Sequence, residues 1–318
     1  MNYGQLARLV IDKLRPIYGD REAKAIQTYF FKAISPIESH KWLLIKDEEA
    51  ESEFIDKVNE AIPELMKEKP VQYVVGKAWF NGLEFKVTPD VLIPRGETEE
   101  LIKLILKSLD ESKAYNILDI GTGSGAIAVS IALHLKNADV SAMDISTEAL
   151  EVAKANALKH DVRIKFLRQD ILEYDRNFLL IHNIDSGGQN IPKHERGQSA
   201  PTHSLPHNKE DHGFIYDIII SNPPYVKESE KALMSTNVLQ YEPDLALFVK
   251  DNDPLLFYRA ILNYSLHHLK KSGRLWFEIN ENHSLELVNL MREYAFDEIM
   301  VYQDLNDKDR YISGLKIA

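Results

Sequence analysis

Between residues 97 and 167 the chain alternates strictly, and this alternation limits its folds more than any other feature. Segments of helical period at 97–109, 125–135 and 147–159 separate short apolar runs at 116–119, 139–143 and 163–167. Short strands joined by helices return to the same edge each time, so the strands line up side by side in one direction. The pattern predicts an α/β fold, a parallel sheet covered by helices. Sheets of this kind place their chemistry at the carboxyl ends of the strands, and two strand ends in this chain carry unusual residues.

The first lies in "ILDIGTGSGAIAVSIAL", 117–133. Glycines at 121, 123 and 125 allow a tight turn from strand to helix, let a ligand approach the backbone and leave a helix N-terminus facing it. Asp144 closes the next strand, where such folds place the carboxylate that takes ribose hydroxyls, and Asp170 in "FLRQDIL" closes the third strand toward the same crevice. The loop alone fits two ligands. Gly121, Gly123 and Ala126 satisfy the G-x-G-x-x-A form of the dinucleotide fingerprint as well as an S-adenosylmethionine loop. Asp119 separates them: a carboxylate two residues before the first glycine repels a pyrophosphate and suits the ammonium of a methionine moiety. Taken by itself, Asp119 serves equally well as a cap for the following helix.

The second strand end lies in "FIYDIIISNPPYVKE", 214–228. The apolar run 218–220 stops at Ser221-Asn222-Pro223-Pro224-Tyr225, which cannot continue a sheet, because two consecutive prolines offer no N–H and fix two φ angles. Such a stiff turn holds the Asn222 amide, the nearby carbonyls and the Tyr225 ring in one array, suited to gripping a planar group.

Before the alternating region the rhythm differs. Residues 1–69 are helical in period, three to five helices forming a small bundle, and "AWFNGLEFKV" places Asn81-Gly82 between alternating apolar residues, a hairpin signal within a linker at 70–92. The expected organisation is a bundle at 1–69, the hairpin linker, and a catalytic domain at 93–318 with a surface loop at 176–213. That loop is rich in Ser, Gly, Pro and Asn and holds five of the eleven histidines; their irregular spacing argues against a metal site. With no cysteine, disulfides, thiolate nucleophiles and cysteine-bound zinc are excluded. A net charge of −11 argues against stable nucleic-acid binding, although residues 1–85 are near balance, with 12 Lys and Arg against 14 Asp and Glu. No stretch has the length and apolarity of a membrane span or the layout of a secretory signal, which predicts a cytoplasmic protein without membrane contact.

"DIGTGSGAIA" followed by "SNPPY" resembles the class I S-adenosylmethionine-dependent methyltransferases that modify planar nitrogens. With "PVQYVVG" (70–76), "LIPRGETEEL" (92–101) and "YEPDLALF" (241–248), nearly the whole chain resembles the HemK/PrmC-type peptide chain release factor glutamine N5-methyltransferases. The resemblance implies a Rossmann-like, seven-stranded mixed sheet with a small helical N-terminal domain that recognises the partner. It implies S-adenosylmethionine as methyl donor, leaving S-adenosylhomocysteine, and as substrate the Gly-Gly-Gln glutamine of peptide chain release factors in translation termination. Asp119 and the loop Gly121, Thr122, Gly123, Ser124 and Gly125 would hold the methionine end of the cofactor, Asp144 its ribose, and Asp170 and Ile171 its adenine. Asn222 would touch cofactor and substrate, with Pro223, Pro224 and Tyr225 completing the substrate pocket and Asn222, Pro223 and Tyr225 serving the reaction.

This chain departs from the family pattern at Gly96, where a proline is frequent, and at Asp253-Pro254, where glycines are common. Arg95, Glu97, Thr98 and Glu99 fit either an ion-pair lining or a helix start, and Glu278 in "LWFEIN" reads as a structural carboxylate. The rivals are an adenine-N6 DNA or RNA methyltransferase, since an exocyclic purine amine poses the same problem as an amide NH₂, a glutamine methyltransferase acting on a ribosomal protein, and a non-catalytic S-adenosylmethionine-binding scaffold.

Overall fold

The first helix starts on a reciprocal cap. The Asn2 side chain accepts from the Gln5 N–H at 2.8 Å and the Gln5 side chain accepts from the Asn2 N–H at 3.0 Å, which satisfies two donors that the first turn leaves free. Helix α1 (Tyr3–Ile34) consists of two helical runs meeting at Gly19. A short α2 (Trp42–Ile45) follows, then α3 (Ser52–Met66), whose buried stripe Phe54, Val58, Ala61 and Leu65 recurs at helical spacing, and then α4 (Val71–Val75). That stripe meets Leu6, Val10, Leu14, Phe30 and Phe31 of α1 in one core. Phe54 packs edge-to-face on Tyr3 and Phe31, with ring centroids at 5.1 and 4.9 Å. Each fully buried Leu or Val there contributes roughly 1.5–3 kcal/mol. The Asn81-Gly82 turn joins β1 (Lys77–Phe80) to β2 (Leu83–Lys86) as an antiparallel hairpin with Phe80 opposite Leu83.

The computed structural model describes residues 1–35, 37, 41–174 and 215–317. The predicted loop at 176–213, with its five histidines, lies outside the described residues. The chain divides into two units: Met1–Ile93 with Lys231–Asp244, and Pro94–Glu230 with Leu245–Ala318. Nothing in the sequence had joined Lys231–Asp244 to the first unit.

The second unit is built on seven strands in the order β10-β11-β9-β6-β3-β4-β5. They are β3 (Asn116–Ile120), β4 (Asp139–Asp144), β5 (Ile164–Arg168), β6 (Tyr216–Ser221), β9 (Leu269–Glu278), β10 (Phe296–Gln303) and β11 (Asp309–Lys316), while β7 (Val226–Lys227) and β8 (Phe248–Val249) form a separate parallel pair. Strands β5, β4, β3, β6 and β9 are parallel, and β11 runs against both of its neighbours. This is the mixed seven-stranded sheet expected of a class I methyltransferase. The three helices foreseen between the early strands are α5 (Gly96–Ser108), α6 (Ala126–His134) and α7 (Thr147–Lys159).

Leu118, Ile120, Ile219, Leu275 and Phe277 form one core with residues of the helices Leu256–His268 and Ser284–Glu293. Alternation along the strands turns Asp119 and Glu278 to the opposite face. The chain works outward from β3 through β4 to β5 and then returns to β6 on the other side of β3. That reversal opens a crevice at the carboxyl ends of β3 and β6.

Candidate active site

Beyond β3 the chain is bound to the end of β4. The N–H groups of Gly121 and Thr122 both donate to the Met143 carbonyl, at 2.9 and 3.0 Å, and the Gly123 N–H donates to Asp144 Oδ2 at 2.9 Å. Gly123 has φ 53°, and a Cβ added there would meet no atom within 4 Å, so the loop surface is open to a ligand. Gly125, φ 79°, faces the other way: its Cβ would stand 3.0 Å from that of Ala153 on α7. One glycine gives access to the crevice, and the other lets α6 start close against α7.

Two carboxylates lie beneath this loop. Asp119 is 1% exposed; its Oδ2 accepts from the Thr122 hydroxyl at 2.7 Å. Its Oδ1 has no partner in hydrogen-bond geometry, although the Ala128 amide is close enough to favour the anion. Burial pushes this carboxyl up to about 7, against Thr122 and Ala128, and the charge of Asp144 adds to the rise. Asp144 accepts from Gly123 N–H and, through Oδ1, from Ser146 N–H at 3.0 Å. Burial raises its carboxyl too, while the amides of Ser146, Gly123 and Ile145 oppose the shift. The Gln169 N–H bonds the Asp144 carbonyl at 3.0 Å, and the next residue, Asp170, caps the turn that follows by accepting from Leu172 N–H at 2.8 Å. Ile171 is buried in the core with Leu118, Ile120 and Met143. Asp119, Asp144 and Asp170 thus stand at or just beyond the ends of three adjacent strands.

The proline turn joins them from β6. Ser221 pairs with Ile120 across the sheet, and its buried hydroxyl donates to the Ile120 carbonyl at 2.7 Å. Asn222 Nδ2 donates to the Thr98 hydroxyl at 3.2 Å, and Thr98 donates to Glu278 Oε2 at 2.7 Å. Tyr225 donates its phenol to the other oxygen, Glu278 Oε1, at 3.2 Å. Pro223 is buried and Pro224 half-buried. Burial, then the Glu278 charge, pushes the Tyr225 phenol well up, so it stays a protonated donor. Burial likewise raises Glu278, opposed by its bonds from Thr98 and Tyr225 and by the charge of Arg310.

The residues expected to hold cofactor and substrate, Asp119, the loop 121–125, Asp144, Asp170, Ile171 and the turn 222–225, therefore sit at or just past the carboxyl ends of β3, β4, β5 or β6, whereas Thr98 lies in α5 and Glu278 ends β9. Sequence reasoning missed Thr98 and Glu278 as partners of the proline turn. Glu278 accepts directly from Tyr225 at one end of that turn and from Thr98, the partner of Asn222, at the other. One signal was available, an acid at the end of an apolar strand in an α/β sheet. Among the described residues no group of three His, Asp or Glu could hold a metal, and no helix is long and apolar enough to cross a membrane.

Comparison with known proteins adds to this geometry. The family model "Methyltransferase small domain" matches residues 94–183, and "Eco57I restriction-modification methylase" matches 139–300. The chain is 35% identical to the release factor glutamine methyltransferase of Flavobacterium psychrophilum over 305 residues, 95% of each chain. It is 40% identical to that of Bacteroides thetaiotaomicron over 250 residues, covering 79% of this chain and 77% of the relative. To that of Lactococcus lactis it is 33% identical over 306 residues, 96% of this chain and 99% of the relative.

Proposed function

The chain belongs to the release factor glutamine methyltransferases, and from that membership we propose that it moves a methyl group from S-adenosylmethionine to a glutamine side-chain nitrogen, N5, in a peptide chain release factor. The glutamine is that of the Gly-Gly-Gln motif, and the helical unit recognises the factor. The observation that carries this reading is the Ser221–Ile120 bond of 2.7 Å, which holds the proline turn beside the glycine loop at one crevice.

The residues present fit the methyl donor. The loop has room at Gly123. Asp119 keeps a buried oxygen without a hydrogen-bonding partner, and two carboxylates in close range favour a cationic ligand over a pyrophosphate. Asp144 accepts from the Gly123 N–H through Oδ2 and from the Ser146 N–H through Oδ1, and a carboxylate with about four lone-pair sites keeps capacity for a ribose hydroxyl.

When bound, S-adenosylmethionine supplies a strongly electrophilic sulfonium methyl. What the protein must supply is help for the nitrogen, because an amide lone pair is delocalised into its carbonyl. Asn222 Oδ1 and the Pro223 carbonyl accept hydrogen bonds from the substrate NH₂, which aims its lone pair at the methyl and stabilises charge growing on nitrogen. Tyr225 packs against the flat amide. Its raised phenol is no base, and the surplus proton leaves to water after transfer.

The test is methyl transfer from labelled S-adenosylmethionine to a purified release factor, beside the same factor with its Gly-Gly-Gln glutamine replaced, duplex DNA and ribosomal RNA. Label on the intact factor alone supports the reading. Label on nucleic acid alone would favour an adenine-N6 methyltransferase, the reading that the restriction-methylase match over 139–300 makes worth testing. Asn222→Ala abolishes transfer while sparing cofactor affinity more than Asp144→Ala does; equal loss of affinity in both would refute this division of labour.

A further inference from the structure

We propose that Glu278 and Thr98 form a one-way hydrogen-bond relay that decides which end of the Asn222 amide faces the substrate. The proposal rests on the glutamine-methylation reading and adds two positioning residues to it.

A carboxylate accepts and cannot donate, whereas a threonine hydroxyl has one proton and two lone pairs. The Thr98 proton lies on Glu278 Oε2 at 2.7 Å, so only a lone pair of that oxygen remains for Asn222. Asn222 can meet it only with Nδ2, at 3.2 Å. The other end of the amide, Oδ1, receives no hydrogen bond from any described residue and is left for the ligand. An asparagine amide has nearly the same shape in its two orientations, so packing alone selects between them poorly, and hydrogen bonding decides.

The orientation matters chemically. Were the Thr98 proton turned toward Asn222, the amide would accept through Oδ1 and present its two N–H groups outward. Donors would then face the NH₂ of the substrate, and no acceptor would align the nitrogen lone pair. Glu278 prevents this while it is held in place: Tyr225 donates to its second oxygen, and the Tyr258 hydroxyl donates to its backbone carbonyl at 3.1 Å. Burial raises the Glu278 carboxyl, and the bonds from Thr98 and Tyr225 and the charge of Arg310 oppose that rise in favour of the carboxylate form. One acid therefore positions both Asn222 and Tyr225 without touching a reacting atom.

The experiment uses the full chain with Thr98→Val, which removes the hydroxyl at almost constant shape, and Glu278→Gln, whose amide can donate to Thr98 and reverse the relay. In both, kcat for labelled transfer to the release factor falls about 100-fold, as expected for a misaligned acceptor. KM for the factor and calorimetric Kd for S-adenosylmethionine stay within about threefold. Thr98→Ser recovers most of what Thr98→Val loses. In ligand-free protein, the Asn222 side-chain NH₂ signal in ¹⁵N NMR, assigned by its absence in Asn222→Ala, moves in both variants. Folded variants with kcat within about twofold of wild type, or an unmoved Asn222 signal, overturn the relay. Should Glu278→Gln fail to fold, the Thr98 Val and Ser pair still decides. Failure of the wild type to methylate any release factor would instead count against the functional reading, while the NMR signal tests the relay separately.

Discussion

Gly123 and Gly125 stand two residues apart with positive φ, yet alanine at each should fail differently. At Gly125 two costs combine. Holding an L-residue at φ 79° costs about 1–2 kcal/mol. The new Cβ would also stand 3.0 Å from Ala153 Cβ and 3.2 Å from Ala153 Cα, and Ala153 is fully buried, so α6 and α7 must move apart. Overpacking of this kind costs about 1–3 kcal/mol. The sum, about 3 kcal/mol, corresponds to a fall in Tm of roughly 6–12 °C for a domain of this size. At Gly123, φ 53°, no atom lies within 4 Å of the added Cβ, which leaves only the backbone cost of about 1–2 kcal/mol. There the methyl occupies the space through which a ligand reaches the loop. Thermal unfolding and calorimetric titration with S-adenosylmethionine, run on both variants, separate the effects: Gly125→Ala loses the larger share of stability, and Gly123→Ala loses at least tenfold in cofactor affinity, about 1.4 kcal/mol. A Gly123→Ala protein that binds the cofactor like wild type, or a Gly125→Ala protein that melts no lower than Gly123→Ala, would refute the assignment of these two roles.

The buried Asp119 predicts a pH dependence. Its folded-state value of about 7 lies above that of an unfolded aspartate, so the stabilisation from its bound proton is full below about pH 4 and is lost as pH rises through about 7. The ligand-free protein should lose this stability between those limits, S-adenosylmethionine should bind more tightly as the anion forms, and Asp119→Asn should flatten both trends; unchanged slopes in melting and titration series would exclude Asp119 as their source. A second prediction concerns Lys316, whose ammonium donates to the carbonyls of Ser265, Leu266 and Leu269, at 3.3, 2.6 and 2.8 Å, where the helix Leu256–His268 ends. Lys316→Met keeps the apolar stem but strips these carbonyls of their donor, for a loss of about 2 kcal/mol and a Tm lower by roughly 4–8 °C. An unchanged Tm would mean that water replaces the ammonium at no cost.

The parts of the fold that could be read in advance were those with local causes. Alternation between strand and helix periods located β3, β4 and β5 to within a residue or so, because each repeats a pattern confined to a dozen residues. Asn81-Gly82 marked its hairpin for the same reason. Lys231–Asp244 was not readable: its membership in the first unit depends on packing, and its short helix Thr236–Tyr241 carries no periodic stripe that betrays a destination. At the crevice, the glycine loop and the proline turn were visible as backbone exceptions. Thr98 and Glu278 were not, since a threonine in a first helical turn and an acid at a strand end each have ordinary local explanations.

There is a physical reason why these hidden partners had to exist. Pro223 and Pro224 cannot donate to a neighbouring strand, so the turn after β6 lacks the ladder that fixes the strand itself. Backbone pairing resumes only at Val226, whose N–H donates to the Leu247 carbonyl at 3.0 Å, and between these points side chains reach three separate elements: Ser221 to β3, Asn222 to α5, and Tyr225 to the end of β9. The bonds from Asn222 and Tyr225 span 124 and 53 residues of sequence. The prolines that make the turn recognisable thereby move part of its support to residues distant in sequence. A stiff turn held at both ends through one buried acid keeps its acceptors in place without help from substrate, and this is the preorganisation that a weakly nucleophilic amide requires.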